Sequence, residues 1–82
     1  MRVLLAMSQQ LVSIDPRVMS GAPVFAGTRV PIKNLFDYLE TGETLEAFLD
    51  DFPSVQREQA VALLERAQRF LTSEDFLRES AA

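Results

Sequence analysis

The spacing of apolar residues changes at Pro31, and this change constrains the fold more than any other feature of the 82-residue sequence. Just before it, two of the three glycines and one further proline interrupt residues 21–30, where turns leave room only for short strands. After it, apolar residues recur at intervals of three and four, the pattern of amphipathic helices. The sequence therefore predicts a mainly α protein, a small three-helix bundle with a short N-terminal β-hairpin element.

Two short helices are predicted directly after the segment rich in glycine and proline. Over residues 32–39 the apolar side chains fall at i, i+3, i+4 and i+7, and Gly42 suits the position after the last turn. A second helix is expected over residues 45–52, with Thr44 as its N-cap and Pro53 as its stop.

A longer third helix is predicted from Val55 or Gln56 to Leu71. The residues expected to face inward at helical spacing are Ala60, Leu63, Leu64, Ala67, Phe70 and Leu71. On the outer face, Glu65 and Arg69 form an i, i+4 pair in the favourable order. Three helices with short connections, the second short and the third long, have the outline of a helix-turn-helix.

The N-terminal third predicts short strands. Residues 3–6 and 11–14 are β-capable apolar runs, and Val24–Phe25 is expected to pair with Arg29–Val30 in a hairpin. We therefore divide the chain into an N-terminal extension that can hold a strand at residues 1–13, a helix-turn-helix domain with its hairpin at 14–72, and a C-terminal tail or short helix at 73–82.

The composition excludes most catalytic chemistry. The chain has no His and no Cys, so the commonest general base and any disulfide or thiolate zinc site are missing. Glu46, Asp50 and Asp51 could be considered as a metal site, but adjacent helical residues point about 100° apart, so a solvated acidic face is the better interpretation. We expect no enzyme, no cofactor and no metal.

The net charge of −4 argues against nucleic acid, but the charge is distributed unevenly. Residues 1–36 carry +3, from three arginines and one lysine against one aspartate, whereas residues 37–52 carry −6 and residues 53–82 carry −1. One end of the fold can therefore be basic. The candidates for DNA contact at that end are Arg17, Arg29 and Lys33.

Nothing in the sequence marks export or membrane insertion. Residues 1–7 hold one arginine before an apolar stretch that is too short for a signal-peptide core and far below the ~18–20 residues of a membrane span. We expect a cytoplasmic protein with no membrane partner.

The first turn of the third helix carries Gln56, Arg57 and Gln59, at the positions that reach base edges in helix-turn-helix proteins. Arginine can bind guanine and glutamine can bind adenine through two hydrogen bonds. A solvated helix surface explains these residues equally well. Further along the helix, Arg66 and Arg69 are expected to form surface ion pairs.

Several motifs in the chain resemble one bacterial family. Ile14-Asp15-Pro16, then Gly21-x-Pro23 and Gly27-Thr28-Arg29, are similar to the signature of the family catalogued as domain of unknown function number 433. The resemblance continues through Gly42–Glu46 and Phe52–Val55, and covers about residues 14–68. Residues 1–10 have no counterpart in that signature, and Gln56 stands where the family usually has a capping Thr or Ser, so we expect Ser54 to cap the third helix instead.

The resemblance implies a homeodomain-like helix-turn-helix with a small N-terminal β element. It also implies the antitoxin of a type II toxin–antitoxin pair, which binds and neutralises a PIN-like ribonuclease toxin and represses its own operon by binding operator DNA. Two alternatives stay open: a stand-alone transcriptional regulator, and a protein-interaction module that does not bind DNA.

Two groups of side chains are candidates for contact with partners. Arg29 projects from the predicted turn either onto a phosphate or an acidic toxin surface, or onto Asp37 or Asp51 of its own chain. Apolar pairs outside the three-helix core either cover that core or bind a second copy or a toxin; they are Leu4, Leu5, Phe76 and Leu77. A chain of this size buries only roughly 60% of its unfolded surface, which favours a homo-oligomer.

Overall fold

The computed structural model describes residues 10–80 of the chain. In chain order its elements are β1 (Val12–Ser13), a 3₁₀ turn (Met19–Gly21), β2 (Val24–Phe25), α1 (Ile32–Glu40), α2 (Leu45–Asp51), α3 (Arg57–Leu71) and α4 (Glu74–Ser80). Within these residues the fold is mainly helical, as the sequence predicts, with four helices and a two-stranded antiparallel sheet. The expected strand at residues 3–6, which includes Leu4 and Leu5, lies outside the described residues.

The small sheet pairs β1 with β2, so that Val12 faces Phe25 and Ser13 faces Val24. The expected strand Val24–Phe25 is confirmed, but Arg29–Val30 does not become its partner strand. The chain does turn back, since the Phe25 amide donates to the Val30 carbonyl at 2.9 Å. The Val30 amide, however, donates to the Thr28 hydroxyl at 3.0 Å and is therefore not free to extend a ladder.

Helices α1 and α2 begin and end where the local sequence signals place them. Gly42 follows α1 with a φ of +90°, a conformation that other residues rarely adopt. The Thr44 hydroxyl accepts a hydrogen bond from the Ala47 amide at 3.0 Å and caps α2. Phe52 ends α2 at the residue before Pro53, as predicted.

Helix α3 is capped at Gln56, so the expectation that Ser54 caps it is wrong. The Val55 amide donates to the Phe52 carbonyl at 3.0 Å, which closes a tight turn over Pro53 and Ser54 before the helix starts. Ser54 consequently lies two positions before the N-cap and outside reach of the first helical amides.

Phe48 lies at the centre of the core, where its side chain is fully buried. Its ring lies 5.9, 5.5 and 5.0 Å, between centroids, from the rings of Phe25, Tyr38 and Phe52, within the range of stabilising aromatic pairs. The other members of the buried cluster are Val30, Leu35, Val55, Ala60 and Leu63. The core therefore joins the turn after β2 to α1, α2 and the first half of α3.

The second half of α3 extends beyond this core. Phe70 is 62% exposed and Leu71 is 49% exposed, so the prediction that they face inward is wrong. The reason is length: α3 has 15 residues, whereas α1 has nine and α2 has seven, and they cover only its first half. No helix in the described part of the chain is long and apolar enough to cross a membrane.

Helix α4 forms from the predicted C-terminal tail. The Ser73 hydroxyl accepts from the Phe76 amide at 3.2 Å and so caps the helix, as its sequence position suggests. The Phe76 ring packs on the Phe70 ring with 5.4 Å between centroids. None of the residues in α4 is buried.

Candidate functional site

The turn after β2 is fixed against the start of α3, where the sequence predicts DNA contact. The Gln59 side chain donates from Nε2 to the Ala26 carbonyl at 2.9 Å. Its Oε1 accepts from the Gln56 amide at 2.9 Å, and the Ala26 amide donates to the Leu11 carbonyl at 3.0 Å. Both polar ends of the Gln59 amide are thus used inside the fold, and this side chain joins three segments of the chain.

The same turn presents Arg29 on a rigid support. Gly27 has a φ of +78°, and no neighbouring atom lies within 4 Å of the place that a Cβ would occupy, so the turn needs glycine for its backbone rather than for space. The Thr28 hydroxyl donates to the Phe25 carbonyl at 2.8 Å and accepts from the Val30 amide. Arg29 itself is exposed.

Arg29 has no carboxylate within 4 Å among residues 10–80, so the alternative in which it pairs with Asp37 or Asp51 is wrong. Both acids are already engaged. Lys33 binds Asp37 at 2.9 Å, and the Tyr38 hydroxyl donates to Asp51 at 2.5 Å.

Arg57 at the start of α3 forms an ion pair with α2. Its Nη2 lies 3.0 Å from Glu46 Oε2, and both side chains are largely exposed. The pKa of Glu46 is lowered, first by its own backbone amide and then by Arg57. An exposed ion pair contributes little free energy. An anion that binds Arg57 more tightly than Glu46 does can therefore displace the Glu46 carboxylate. The neighbouring Gln56 is exposed.

The remaining two predicted DNA-contact residues lie on other elements and carry partners. Arg17 binds Asp15 through two contacts, Nη2 to Oδ2 at 3.0 Å and Nε to Oδ1 at 3.1 Å. This side-chain contact lowers the pKa of Asp15. Lys33 lies on α1 and pairs one turn along the helix with Asp37, which raises the pKa of Lys33.

Half of the exposed carboxylates in the described residues lie on α1, on α2 or on the loop between them. We call this the acidic surface; it consists of Glu40, Glu43, Glu46, Asp50 and Asp51. The Tyr38 hydrogen bond to Asp51 ties the two helices together, and it raises the pKa of Tyr38. Within residues 10–80, no group of acidic side chains converges closely enough to hold a metal ion.

Exposed and half-buried apolar side chains gather where α3 meets α4. We call this the C-terminal patch; it consists of Phe70, Leu71, Phe76 and Leu77. The sequence singles out Phe76 and Leu77 as partner contacts, and Leu77 is 45% exposed in the structure. The sequence pattern does not identify Phe70 and Leu71 as part of this patch. The predicted length of α3, which exceeds that of α1 and α2, is the feature that indicates an uncovered end.

Comparisons with known proteins agree with the family motifs in the sequence. The family model described as "Protein of unknown function (DUF433)" matches residues 12–66. An uncharacterized protein, y4eO, from Sinorhizobium fredii is 33% identical over 55 residues, which is 67% of this chain and 25% of that protein. The chain therefore spans about a quarter of that curated relative. The crystal structure of a DUF433 member protein from Anabaena variabilis matches with a TM-score of 0.63 and 25% identity, over 98% of this chain and 77% of that one.

Proposed function

The chain belongs to the DUF433 family, and from this membership we propose that it is the antitoxin of a type II toxin–antitoxin pair. It binds a PIN-like ribonuclease in the cytoplasm and blocks its active site. It acts as a binding protein and not as an enzyme. Its fold is a homeodomain-like helix-turn-helix, in which α2, the turn at residues 52–56 and α3 form the motif.

The observation that carries this proposal is the acidic surface. A ribonuclease must attract RNA phosphates, so its substrate channel is expected to be positively charged. Among the described residues, Glu40, Glu43 and Asp50 have no cation within 4 Å and are available to a partner. Carboxylates held on two packed helices and on the short loop between them can occupy such a channel in place of phosphates.

The support beneath these carboxylates is rigid. The Tyr38 ring packs edge-on against Phe48 and Phe52, with centroids 5.5 and 5.8 Å away. Its hydroxyl reaches Asp51 at the end of α2. A surface that is ordered before binding loses little conformational entropy when it meets its partner.

Inhibition of the ribonuclease encoded by the adjacent gene tests the proposal. We expect the full chain to bind that enzyme and to suppress RNA cleavage, and a variant with Glu40→Gln, Glu43→Gln and Asp50→Asn to inhibit at least tenfold less strongly. The matched control neutralises three exposed acids elsewhere, by Glu58→Gln, Glu65→Gln and Glu79→Gln. Absence of binding to the ribonuclease overturns the proposal. Equal inhibition by both triple variants shows that the acidic surface is not the part of the chain that binds the ribonuclease.

Operator binding is a second proposed activity, and the observation that favours it is the placement of Arg29. Arg29, which has no carboxylate within 4 Å among residues 10–80, projects from the turn that Gln59 fixes to the start of α3. Arg29 can therefore contact a phosphate while the first turn of α3 faces the bases. Arg57 joins the contact once it leaves Glu46, whereas Arg17 and Lys33 lie on other elements.

A salt series with the operator fragment tests this second activity. We expect affinity to fall steeply as salt rises, and Arg29→Ala to weaken binding and to flatten the salt dependence by about one released counterion. The control is Arg78→Ala, because Arg78 lies on α4, far along the chain from Arg29 and from the first turn of α3. A salt dependence that is the same in both variants excludes phosphate contact by Arg29, and the absence of operator binding at any salt concentration favours the protein-interaction module.

A further inference from the structure

One ion pair joins the two surfaces to which the proposed partners bind. Glu46 belongs to the acidic surface, and Arg57 stands in the first turn of α3. Arg57 Nη2 donates to Glu46 Oε2 at 3.0 Å, although 11 positions separate the two residues in the sequence. A carboxylate of the surface proposed to bind a ribonuclease therefore engages an arginine of the surface proposed to bind DNA.

The contact between Arg57 and Glu46 is easily exchanged. Within the described residues it consists of a single hydrogen bond, whereas Arg17 reaches Asp15 through both Nε and Nη2. Both side chains of the pair are more than half exposed, so solvent and salt screen their attraction. A phosphate offers an arginine two acceptor oxygens, and bidentate contacts of this kind are stronger than single ones. DNA can therefore displace Glu46, but it must first break this ion pair.

We propose that Glu46 is an autoinhibitory residue, which holds Arg57 in the free chain and so weakens the contact of α3 with DNA phosphates. Two effects act in the same direction. The carboxylate occupies an N–H donor of the guanidinium, and its negative charge repels a phosphate that approaches Arg57. The backbone amide of Glu46, and then Arg57, lower the pKa of Glu46, so the carboxylate is charged at neutral pH. This inference rests on the proposed binding to DNA.

The same carboxylate is accessible to a partner that binds the acidic surface. Asp50 follows Glu46 by four positions on α2 and therefore lies next to it on the helix. Within residues 10–80, Asp50 has no cation within 4 Å. A cationic side chain bound between these two carboxylates competes with Arg57 for Glu46. Binding of a cationic partner should therefore release Arg57 to DNA, and DNA should strengthen the binding of that partner by the same factor.

Double-mutant cycles on the full chain test the inhibition by Glu46. The probe is a fluorescently labelled duplex of random sequence, because contact with phosphates does not require the operator. We expect Glu46→Gln to tighten binding by about two- to fivefold at low salt, the range in which exposed ion pairs contribute. Most of this gain should disappear in a chain that also carries Arg57→Gln, because no arginine is then released.

Glu58→Gln is the matched control for Glu46→Gln. It removes the same charge from the first turn of α3, and Glu58 has no cation within 4 Å among the described residues. Its effect on DNA binding should be the same with and without Arg57→Gln. Circular dichroism confirms that each variant folds.

Three outcomes of the cycle overturn the proposal. Glu46→Gln can leave the affinity unchanged, or it can give the same gain with and without Arg57, which means that it acts only through the total charge. Absence of DNA binding by both the wild-type chain and Glu46→Gln overturns the proposal together with the operator function. A chain that binds the random duplex as tightly as the operator fragment loses only the operator function, since the same cycle still measures the inhibition.

Release by a partner is tested with the ribonuclease of the adjacent gene at saturating concentration. We expect the ribonuclease to tighten duplex binding by about two- to fivefold more in the wild-type chain than in Glu46→Gln, after subtraction of the duplex that the ribonuclease binds alone. Equal factors in the two chains exclude release through Glu46. A ribonuclease that does not bind the chain overturns the antitoxin function and this release, whereas the double-mutant cycle decides the inhibition in the free chain.

Discussion

The side chain of Gln59 donates a hydrogen bond of 2.9 Å to the carbonyl of Ala26, which lies 33 positions earlier in the sequence. The same amide accepts the Gln56 backbone N–H, so one side chain both caps α3 and fixes the turn after β2 to it. The backbone of the turn that carries Arg29 is therefore held in a defined position relative to the first turn of α3. The geometry of the candidate DNA surface therefore depends on the hydrogen bond between Gln59 and Ala26, which also stabilises the fold.

Replacing Gln59 should consequently destabilise the fold. Gln59→Glu keeps the oxygen that accepts from Gln56 but removes the N–H that satisfies the part-buried Ala26 carbonyl. Leaving that carbonyl unpaired is expected to lower the free energy of unfolding by about 1–3 kcal/mol. Urea denaturation measures the change, with the exposed Gln68→Glu on the same helix as control. Equal stability of the two variants contradicts the role given to Gln59.

Thr44 provides a separate measure of how far local capping supports the helix-turn-helix. Its hydroxyl accepts from the Ala47 amide at 3.0 Å, so Thr44→Ala should lower the free energy of unfolding by about 1 kcal/mol. Thr44→Ser keeps the acceptor and should retain most of the stability. Thermal unfolding followed by circular dichroism separates the two variants. A Ser variant as unstable as the Ala variant shows that the methyl group, and not the cap, matters at this position.

Truncating two phenylalanines to alanine should change the stability by very different amounts. Phe48 is fully buried between three aromatic rings, and Phe48→Ala is expected to cost about 3–5 kcal/mol, enough to unfold a small domain. Phe70 is 62% exposed, so Phe70→Ala should change stability by only about 0.5 kcal/mol. Urea denaturation of both variants makes the comparison. A large loss for Phe70 would mean that α4 belongs to the folding core.

These contrasts show which information the sequence holds locally. The limits of α1 and α2 are predictable because Gly42, Thr44 and Pro53 each act on their own neighbours. The exposure of Phe70 is not predictable from periodicity, since spacing identifies a helix face but not the length of helix that other elements cover. The sequence pattern also predicts the wrong partner strand for β2. The Val30 amide donates to the Thr28 hydroxyl instead of to a neighbouring strand, and β1 is the strand that pairs with β2.

The same distinction between local features and contacts of distant segments applies to the candidate site. The sequence identifies the first turn of α3 as a surface, but it cannot show that Gln59 is engaged by Ala26, because that contact joins distant segments. It also predicts an ion pair between Glu65 and Arg69, which does not form among the described residues. An exposed helical pair gains at most about 0.5 kcal/mol, so spacing alone does not bring such side chains together.

The hydrogen bond from Tyr38 to Asp51 should be visible in the titration of the chain's single tyrosine. The bond to Asp51, followed by desolvation and the negative charge nearby, raises the pKa of Tyr38 above its ordinary value of 10.0. A raised folded-state pKa contributes stability that is fully present below pH 10 and is lost as the pH rises through the folded-state value. Alkaline conditions should therefore loosen the contact between α1 and α2 that supports the acidic surface.

Absorbance at the phenolate band measures this directly, because no other residue contributes. We expect Asp51→Ala to lower the pKa of Tyr38 toward 10.0, since the variant removes both the acceptor and the charge. Asp50→Ala, one position away and without a hydrogen bond to Tyr38, should leave the pKa raised. If the two variants titrate alike, general negative charge on α2 raises the pKa of Tyr38, and the hydrogen bond does not organise this face.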